Sequence, residues 1–162
     1  MKNLLLMRHA KSSWKDISLP DRQRPLNKRG KRDAPRMGKH LRERGIILDT
    51  ILCSTAVRAR ETADGFLAEY VFEGDVLYIE DLYQAGPETI VSVLKQLPDH
   101  VDSAMVIGHN PGLDHFLEMV CNEYAHMPTA CVAYIKFPLD RWVDLRESTR
   151  GELLYFWVPR ET

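Results

Sequence analysis

An arginine and a histidine follow the first apolar run of the chain. The run covers residues 4–7, and Arg8 and His9 come directly after it. A short apolar run that stops at charged residues predicts a buried parallel strand. Because the active sites of open α/β sheets lie just beyond the carboxyl ends of such strands, we expect Arg8 and His9 at an active site. An arginine can bind phosphate oxygens in bidentate fashion, and an imidazole can attack phosphorus as a nucleophile.

Three further apolar runs are also followed by groups that can handle phosphate. They are residues 50–53 before Arg58, residues 76–79 before Glu80 and Asp81, and residues 104–107 before His109. Taken singly, each of these side chains also fits an ordinary role as a helix cap, a surface ion pair or a loop acid. Because strand ends meet at one edge of a sheet, the four together predict a site that surrounds a phosphoryl group with positive donors.

The chemistry that such a site allows is phosphoryl transfer through His9. Arg8 and Arg58 would bind the phosphate oxygens, and His109 would add a donor just before a helix whose N-terminus favours anions. His9 can attack through Nε2 if a backbone carbonyl or a carboxylate holds its Nδ1–H group. The leaving atom then needs a proton, which a carboxyl group after the third apolar run could give.

Other chemistries lack their sequence patterns. Neither Cys53 with Arg58 nor Cys53 with Arg60 has the spacing of a cysteine-based phosphatase loop. The chain has no P-loop motif, and no GxGxxG follows the first predicted strand, so nucleotide binding by these motifs is unsupported. The remaining histidines lack the spacing of metal ligands, and we therefore expect no metal site.

The composition is that of an ordinary globular protein. The 162 residues are 44% hydrophobic and 28% charged, which predicts one domain over residues 1–162. A net charge of −1 provides no global field that would recruit nucleic acid or an anionic membrane. No stretch is apolar enough for a membrane span, and no leader-like segment precedes the first strand. Cys53, Cys121 and Cys131 show no CxxC spacing and fit buried thiols in a reducing compartment, so we expect a cytoplasmic protein.

Positive charge is concentrated in one segment. Its members are Arg22, Arg24, Lys28, Arg29, Lys31, Arg32, Arg36, Lys39, Arg42 and Arg44. This concentration fits a solvated helix face, and it also fits a basic rim that attracts an anionic substrate.

The order of the elements predicts an α/β fold, a three-layer sandwich with a mostly parallel, doubly wound sheet. Helices are predicted after Asn27, Val57, Gly86 and Pro111, and two strand-like runs follow at residues 131–135 and 153–158. Because no helix separates these last two runs, we expect an antiparallel C-terminal edge. Pro35 either kinks the first helix or moves its start beyond Asn27. Trp142 looks exposed in a predicted turn.

Four short motifs run in order along the chain. They are LMRHA at residues 6–10, RPLNKRG at 24–30, STAVRARETA at 54–63 and VIGHNPG at 106–112. In sequence and order they resemble the histidine phosphatase superfamily, also called the phosphoglycerate mutase-like superfamily. The short chain and the GHNPG motif are similar to the SixA-type phosphohistidine phosphatase group. Ala10 stands where that family usually has a glycine.

The resemblance implies a function as well as a phosphoglycerate mutase-like fold. It implies a phosphohistidine intermediate on His9 and a phosphate pocket of Arg8, Arg58 and His109, with no metal or organic cofactor. The partner would be a phosphorylated protein or a small phosphorylated substrate.

Two roles stay open within the resemblance. Asp81 occupies the place where relatives carry a general acid after the third strand, while Glu80 beside it and Asp16 in the first loop are alternatives. Lys15 falls where mutase-like relatives have a phosphate-contacting asparagine. It would either supply a point charge or face solvent.

Three functions are compatible with these residues. The leading hypothesis is a phosphohistidine protein phosphatase with a small, open site, because only residues 10–25 form a long connection at the active edge. A phosphomonoesterase or mutase that acts on a small metabolite is the alternative within the superfamily, although a mutase needs a closed site. The alternative from another class is a catalytically idle module that binds phosphate.

Overall fold

A computed structural model describes the whole chain, Met1–Thr162, and contains one six-stranded sheet. The strands are β1 (Lys2–Arg8), β2 (Thr50–Ser54), β3 (Asp75–Ile79), β4 (Ser103–Gly108), β5 (Val132–Phe137) and β6 (Glu152–Trp157). Their order in the sheet is β3-β2-β4-β1-β5-β6. The first four strands are parallel, and β5 and β6 add an antiparallel edge beside β1. The predicted mixed sheet is therefore confirmed.

Two pairs of helices cover the two faces of this sheet. The helices are α1 (Lys28–Glu43), α2 (Val57–Leu67), α3 (Pro87–Leu94) and α4 (Gly112–Cys121). Side chains of α1 and α2 share one hydrophobic cluster with the sheet, and those of α3 and α4 share another. This is the predicted three-layer sandwich. None of the helices is both long and apolar enough to cross a bilayer.

The central strand β1 shows why its sequence is apolar at every position. Leu4 and Leu6 belong to the cluster under α3 and α4, whereas Leu5 and Met7 belong to the cluster under α1 and α2. All four are fully buried. A strand that is covered on both faces cannot alternate with polar residues, because each polar side chain would lose its contact with water.

The start of α1 is set by Asn27. The side-chain oxygen of Asn27 accepts a hydrogen bond from the backbone N–H of Gly30 at 2.9 Å, which caps the helix. Pro35 lies inside the helix, so the alternative of a start beyond Asn27 is wrong. Gly45 follows the helix with φ +69°, a left-handed conformation that a glycine adopts without strain.

Trp142 is fully buried, contrary to the expectation of an exposed turn residue. Its indole N–H donates a hydrogen bond to the carbonyl oxygen of Val101 at 2.7 Å. The polar group of the indole is thereby satisfied, which allows the ring to fill the core under the C-terminal edge. The sequence pattern did not show that Trp142 is buried, because its partner Val101 lies far away in the chain, in the connection before β4.

The sheet order brings the site together. Strand β4 lies between β1 and β2, so the residues that follow these three strands converge at one edge. His9 follows β1, His109 follows β4, and Arg58 lies in the first turn of α2 after β2. This edge is the carboxyl edge of the parallel strands, where the ligands of α/β sheets bind.

Candidate active site

A cleft of about 210 Å³ opens at the carboxyl edge of the sheet. The residues that line it are Arg8, His9, Lys11, Ser12, Trp14, Arg24, Arg58, Gln84, His109, Asn110 and Thr129. The set contains four cationic side chains and no aspartate or glutamate. Such a cleft attracts an anion, and the planar guanidinium groups suit the oxygens of a phosphoryl group.

His9 is buried in this cleft, and hydrogen bonds hold both its backbone and its ring. The backbone N–H of His9 donates to the carbonyl oxygen of Gly108 at 3.0 Å, which ties His9 to the end of β4. Its ring nitrogen Nδ1 lies 2.7 Å from the carbonyl oxygen of Ala10. Because a carbonyl oxygen only accepts, the proton sits on Nδ1, and Nε2 keeps its lone pair.

The peptide after His9 is anchored to α2. The backbone N–H of Ala10 donates to the hydroxyl oxygen of Thr62 at 2.9 Å, and that hydroxyl donates to the carbonyl oxygen of Arg58 at 2.6 Å. All of these groups are buried. The chain of bonds fixes the peptide between His9 and Ala10, and with it the backbone of His9, relative to the helix that carries Arg58.

His109 lies beside His9, with 5.2 Å between the ring centroids. Its Nε2 is 2.7 Å from the hydroxyl oxygen of Ser54, the last residue of β2. Its Nδ1 is 3.4 Å from a guanidinium nitrogen of Arg58, which can only donate. His109 therefore carries its proton on Nε2 and donates a hydrogen bond from it to the hydroxyl oxygen of Ser54.

Both histidines are neutral near pH 7. Burial lowers the pKa of His9 to about 4, and the nearby cations Arg58 and Arg8 add to the effect. Burial lowers the pKa of His109 to about 3, with His9 and Arg58 as the next causes. A neutral His9 has the lone pair that nucleophilic attack requires.

The two arginines each keep a donor without a partner. Arg8 donates from Nη1 to the carbonyl oxygen of Met127 at 3.0 Å, and Arg58 donates from Nη1 to the carbonyl oxygen of Asp21 at 2.7 Å. The Nε atoms of both arginines are buried and make no hydrogen bond. Leaving a buried donor unpaired is costly, and the oxygens of a phosphoryl group would supply acceptors.

Asp21 is a carboxylate that contacts two arginines of the cleft, and the sequence motifs did not indicate it. It accepts hydrogen bonds from the hydroxyl of Tyr83 at 2.5 Å and from Arg58 at 3.0 Å, and Arg24 binds its other oxygen at 3.1 Å. These donors, led by Tyr83, hold the pKa of Asp21 well below its usual range. Asp21 is therefore ionised, and it positions Arg24 and Arg58.

Arg24 is a second residue of the site, and it was predicted only as a member of the basic segment that fits either a solvated helix face or a basic rim. It donates to the hydroxyl of Ser12 at 2.7 Å, and its guanidinium carbon lies 3.6 Å from the ring centroid of Trp14. Arg24 opens the second motif, but nothing in that motif shows that it reaches the cleft. Only the folded loop between β1 and α1 brings it there.

The structure does not place the three proposed general acids in the cleft. Asp81 is exposed and lines a separate depression with Glu88. Glu80 forms an ion pair with Arg22 and accepts a hydrogen bond from Thr55 at 2.7 Å. Asp16 is exposed and accepts hydrogen bonds from Ser18. The placement of Asp81 beside the reacting atoms is thus corrected: Tyr83, two residues further on, is the side chain that packs against His109.

Lys15 also lies outside the cleft, and its side chain is exposed. Of its two proposed roles, the structure therefore shows the one in which Lys15 faces solvent, and not the one in which it supplies a point charge to the phosphate. Lys11, four residues earlier, lines the cleft and provides the cation on this side. No group of three or more His, Cys, Asp or Glu side chains has the arrangement of a metal site.

Comparison with protein families identifies a match at the N-terminal half of the chain. Residues 4–80 match the family described as the histidine phosphatase superfamily (branch 1). This range includes Arg8, His9 and Arg58. An uncharacterized protein from Mycobacterium tuberculosis is 41% identical over 95% of this chain and 100% of its own length.

Solved structures with the same fold cover nearly the whole chain. A protein from Agrobacterium tumefaciens, assigned as phosphohistidine phosphatase SixA, is 28% identical with a TM-score of 0.84, over 98% of both chains. Another SixA-assigned protein, from Nakamurella multipartitia, is 26% identical with a TM-score of 0.85, over 98% of this chain and 96% of the other. The similarity thus extends well beyond the four motifs.

Proposed function

This chain belongs to the histidine phosphatase superfamily, and from that premise we propose that it hydrolyses phosphohistidine in proteins through an intermediate on His9. It is a phosphatase. The observation that carries the proposal is the bond between Nδ1 of His9 and the carbonyl oxygen of Ala10, since it leaves Nε2 free beside the cationic side chains of the cleft. The SixA-assigned relatives support phosphohistidine as the substrate class.

In the first step, Nε2 of His9 attacks phosphorus in line with the leaving nitrogen of the substrate. A bond forms between Nε2 and phosphorus, and the bond from phosphorus to the substrate imidazole breaks. Arg8 and Arg58 bind the phosphoryl oxygens as charge spreads over them. His109 carries its proton on Nε2, so its Nδ1 can accept a proton from a protonated phosphoryl oxygen.

In the second step, a water molecule attacks phosphorus, the bond to Nε2 of His9 breaks, and both protons of the water stay with the departing phosphate. Inorganic phosphate leaves, and His9 regains its lone pair. The backbone carbonyl of Ala10 keeps the Nδ1 proton in place in both steps, so the ring does not need to change its tautomer. An imidazole that carries a proton on the ring nitrogen remote from phosphorus leaves as a neutral ring, which makes the substrate imidazole a good leaving group in the first step and His9 one in the second.

The acidic groups of the site support a substrate with a good leaving group. The carboxylate that bonds Arg24 and Arg58 is Asp21, and its bonds to Tyr83 and Arg58 keep it ionised. An ionised carboxylate cannot protonate the alkoxide of a sugar phosphate or phosphoserine. A phosphoramidate such as phosphohistidine can be protonated before attack and depends less on an enzyme acid.

The access to the cleft also supports a protein substrate. Trp14 at the cleft is 65% exposed, and the connection from β3 to α3 covers only residues 80–86. A small metabolite needs loops that surround it with matched polar groups, whereas a phosphorylated side chain brings its own polypeptide to the rim.

The experiment that tests the proposal compares substrates at equal concentration. A histidine-phosphorylated protein, a phosphoserine peptide and 3-phosphoglycerate are incubated with the enzyme, and kcat/KM is measured for each from phosphate release. We expect the phosphohistidine protein to be hydrolysed with a kcat/KM about a hundredfold or more above the others. Efficient, saturable hydrolysis of 3-phosphoglycerate or phosphoserine above phosphohistidine contradicts the proposal.

We also propose that the protein works in the cytoplasm as one domain. Cys53, Cys121 and Cys131 are all free thiols, which fits a reducing compartment. Residues from Lys2 to Trp157 contribute to a single sheet, which supports one folding unit.

A further inference from the structure

A second depression, of about 440 Å³, lies where α1 begins. It is lined by Ser13, Lys15, Leu26, Asn27, Lys28, Arg29 and Lys31. Four of these side chains are cationic and none is acidic. We call Lys15, Lys28, Arg29 and Lys31 the basic strip.

The basic strip adjoins the catalytic cleft. Asn27 donates its backbone N–H to the carbonyl oxygen of Lys11 at 2.9 Å, and Lys11 lines the cleft. Arg29 donates to the hydroxyl oxygen of Thr129 at 3.1 Å, and Thr129 lines the cleft as well. A polypeptide whose phosphorylated side chain enters the cleft therefore has the basic strip within reach of its neighbouring residues.

Three of the four cations of the basic strip do not serve the fold, whereas Arg29 forms an ion pair with Asp33 at 3.8 Å. Lys15, Lys28 and Lys31 are exposed, and none of them pairs with a carboxylate. The first turn of α1 contains no acidic residue. Cations near a helix N-terminus oppose the helix dipole, so Lys28 and Lys31 lie where they weaken the helix. A ligand of opposite charge would give these exposed cations a function.

We propose that the basic strip docks an acidic polypeptide segment that flanks the phosphorylated residue of a protein substrate. The inference rests on the proposed function and adds to it the chemistry of the substrate around the phosphoryl group. The cleft of about 210 Å³ holds little more than the phosphoryl group and its side chain. The flanking residues must therefore lie on the rim, where the basic strip selects aspartate and glutamate.

The charge on another part of the rim favours a short acidic segment over RNA or an anionic membrane. The depression beside Tyr83 is lined by the carboxylates Asp81 and Glu88, and by Glu80, whose charge is paired with Arg22. A polyanion that covered both parts of the rim would be repelled there, and the net charge of −1 supplies no compensating field.

Two synthetic phosphohistidine peptides of equal length test the proposal, one with glutamates and one with glutamines around the phosphorylated residue. The enzyme variant is Lys28→Glu with Lys31→Glu, and the matched control is Arg36→Glu with Lys39→Glu, two exposed cations further along α1. We expect the first variant to lower kcat/KM for the glutamate peptide about tenfold, through KM, and to leave the glutamine peptide within about twofold. The control variant should change neither peptide by more than about twofold.

Thermal unfolding shows that the first variant is folded. Its Tm should equal or exceed that of the unchanged protein, because glutamates suit the start of a helix. Equal kcat/KM values for the glutamate peptide in the two variants would overturn the proposal. So would tighter binding of a labelled RNA 12-mer, or of phosphatidylglycerol vesicles, than of the glutamate peptide.

Fluorescence anisotropy with the unphosphorylated peptides separates docking from turnover. If the unchanged protein binds the glutamate peptide and the first variant does not, the result supports docking on the basic strip, even if no phosphohistidine is hydrolysed. In that case only the proposed function fails. If the unchanged protein hydrolyses both phosphohistidine peptides with equal efficiency, the docking proposal is contradicted, whereas the proposed function is not.

Discussion

Nδ1 of His9 donates a hydrogen bond to the carbonyl oxygen of Ala10 at 2.7 Å. Many catalytic histidines are oriented by a carboxylate, but this one is oriented by the adjacent peptide. A neutral acceptor fixes the tautomer without adding negative charge near the incoming phosphoryl group. Burial lowers the pKa of His9 to about 4, so the ring is also neutral at physiological pH.

Arg58→Ala should reduce activity far more than Arg60→Ala. Arg58 lines the cleft, whereas Arg60 is exposed and donates to the carbonyl oxygen of Thr55 at 3.2 Å. The loss of a phosphate contact should cost on the order of 2–4 kcal/mol of transition-state stabilisation, measured as kcat/KM. Arg58→Lys should recover only part of the loss, because an ammonium cannot bind two oxygens in a fixed fork. Similar losses in the two alanine variants would mean that Arg58 does not bind the phosphoryl group.

Ser54→Ala should disturb His109 without touching the substrate. The hydroxyl of Ser54 accepts the Nε2 proton of His109 at 2.7 Å, and both groups are buried. Removing the acceptor leaves an unpaired buried donor, which costs about 1–3 kcal/mol of the free energy of unfolding. We expect kcat to fall more than KM rises, with the variant still folded by circular dichroism. An unchanged kcat would show that the orientation of His109 does not depend on Ser54.

The stability of the protein should fall as the pH is lowered from 7 to 5. The pKa of His9 is lowered to about 4 and that of His109 to about 3, so the unfolded chain takes up protons first. Each histidine should therefore remove on the order of 2 kcal/mol from the free energy of unfolding at pH 5.

Urea unfolding at the two pH values checks this loss. His109→Gln should remove about half of the pH dependence, whereas His115→Gln, at an exposed position of α4, should leave it intact. Equal pH dependence in the two variants would show that His109 is not the buried neutral group that the structure describes.

Asp81→Asn should leave kcat/KM within about twofold for both aryl phosphates and phosphoramidates, because Asp81 lies outside the cleft. The measurement is a series of aryl phosphates with leaving groups of increasing pKa. Without a protonated acid, kcat should decline steeply along the series, and Asp81→Asn should reproduce the same slope. A steeper slope in the variant would restore Asp81 as the general acid.

The framework of the site was predictable because it depends on strands. Residues that follow buried parallel strands must meet at one edge, and this geometry brings Arg8, His9, Arg58 and His109 together. The apolar runs that mark the strands are visible in the sequence itself. The same reasoning led to Asp81, but Asp81 follows a strand at the edge of the sheet and therefore lies outside the cleft.

The remaining residues were not predictable because long-range contacts place them. Arg24 reaches the cleft only because it bonds Ser12 across the loop between β1 and α1. Asp21 is fixed by Arg58 and Tyr83, which are distant in the chain. A loop without periodicity gives no local signal for such contacts.

The central claim is that phosphate passes through Nε2 of His9. Brief incubation with a ³²P-labelled phosphohistidine protein, followed by an alkaline quench, should trap label on the enzyme. The label should be stable in base and labile in acid, and alkaline digestion should yield phosphohistidine with phosphorus on Nε2. His9→Ala should be folded, inactive and unlabelled. Label on Nδ1 or on another residue, or turnover by His9→Ala, would contradict the account.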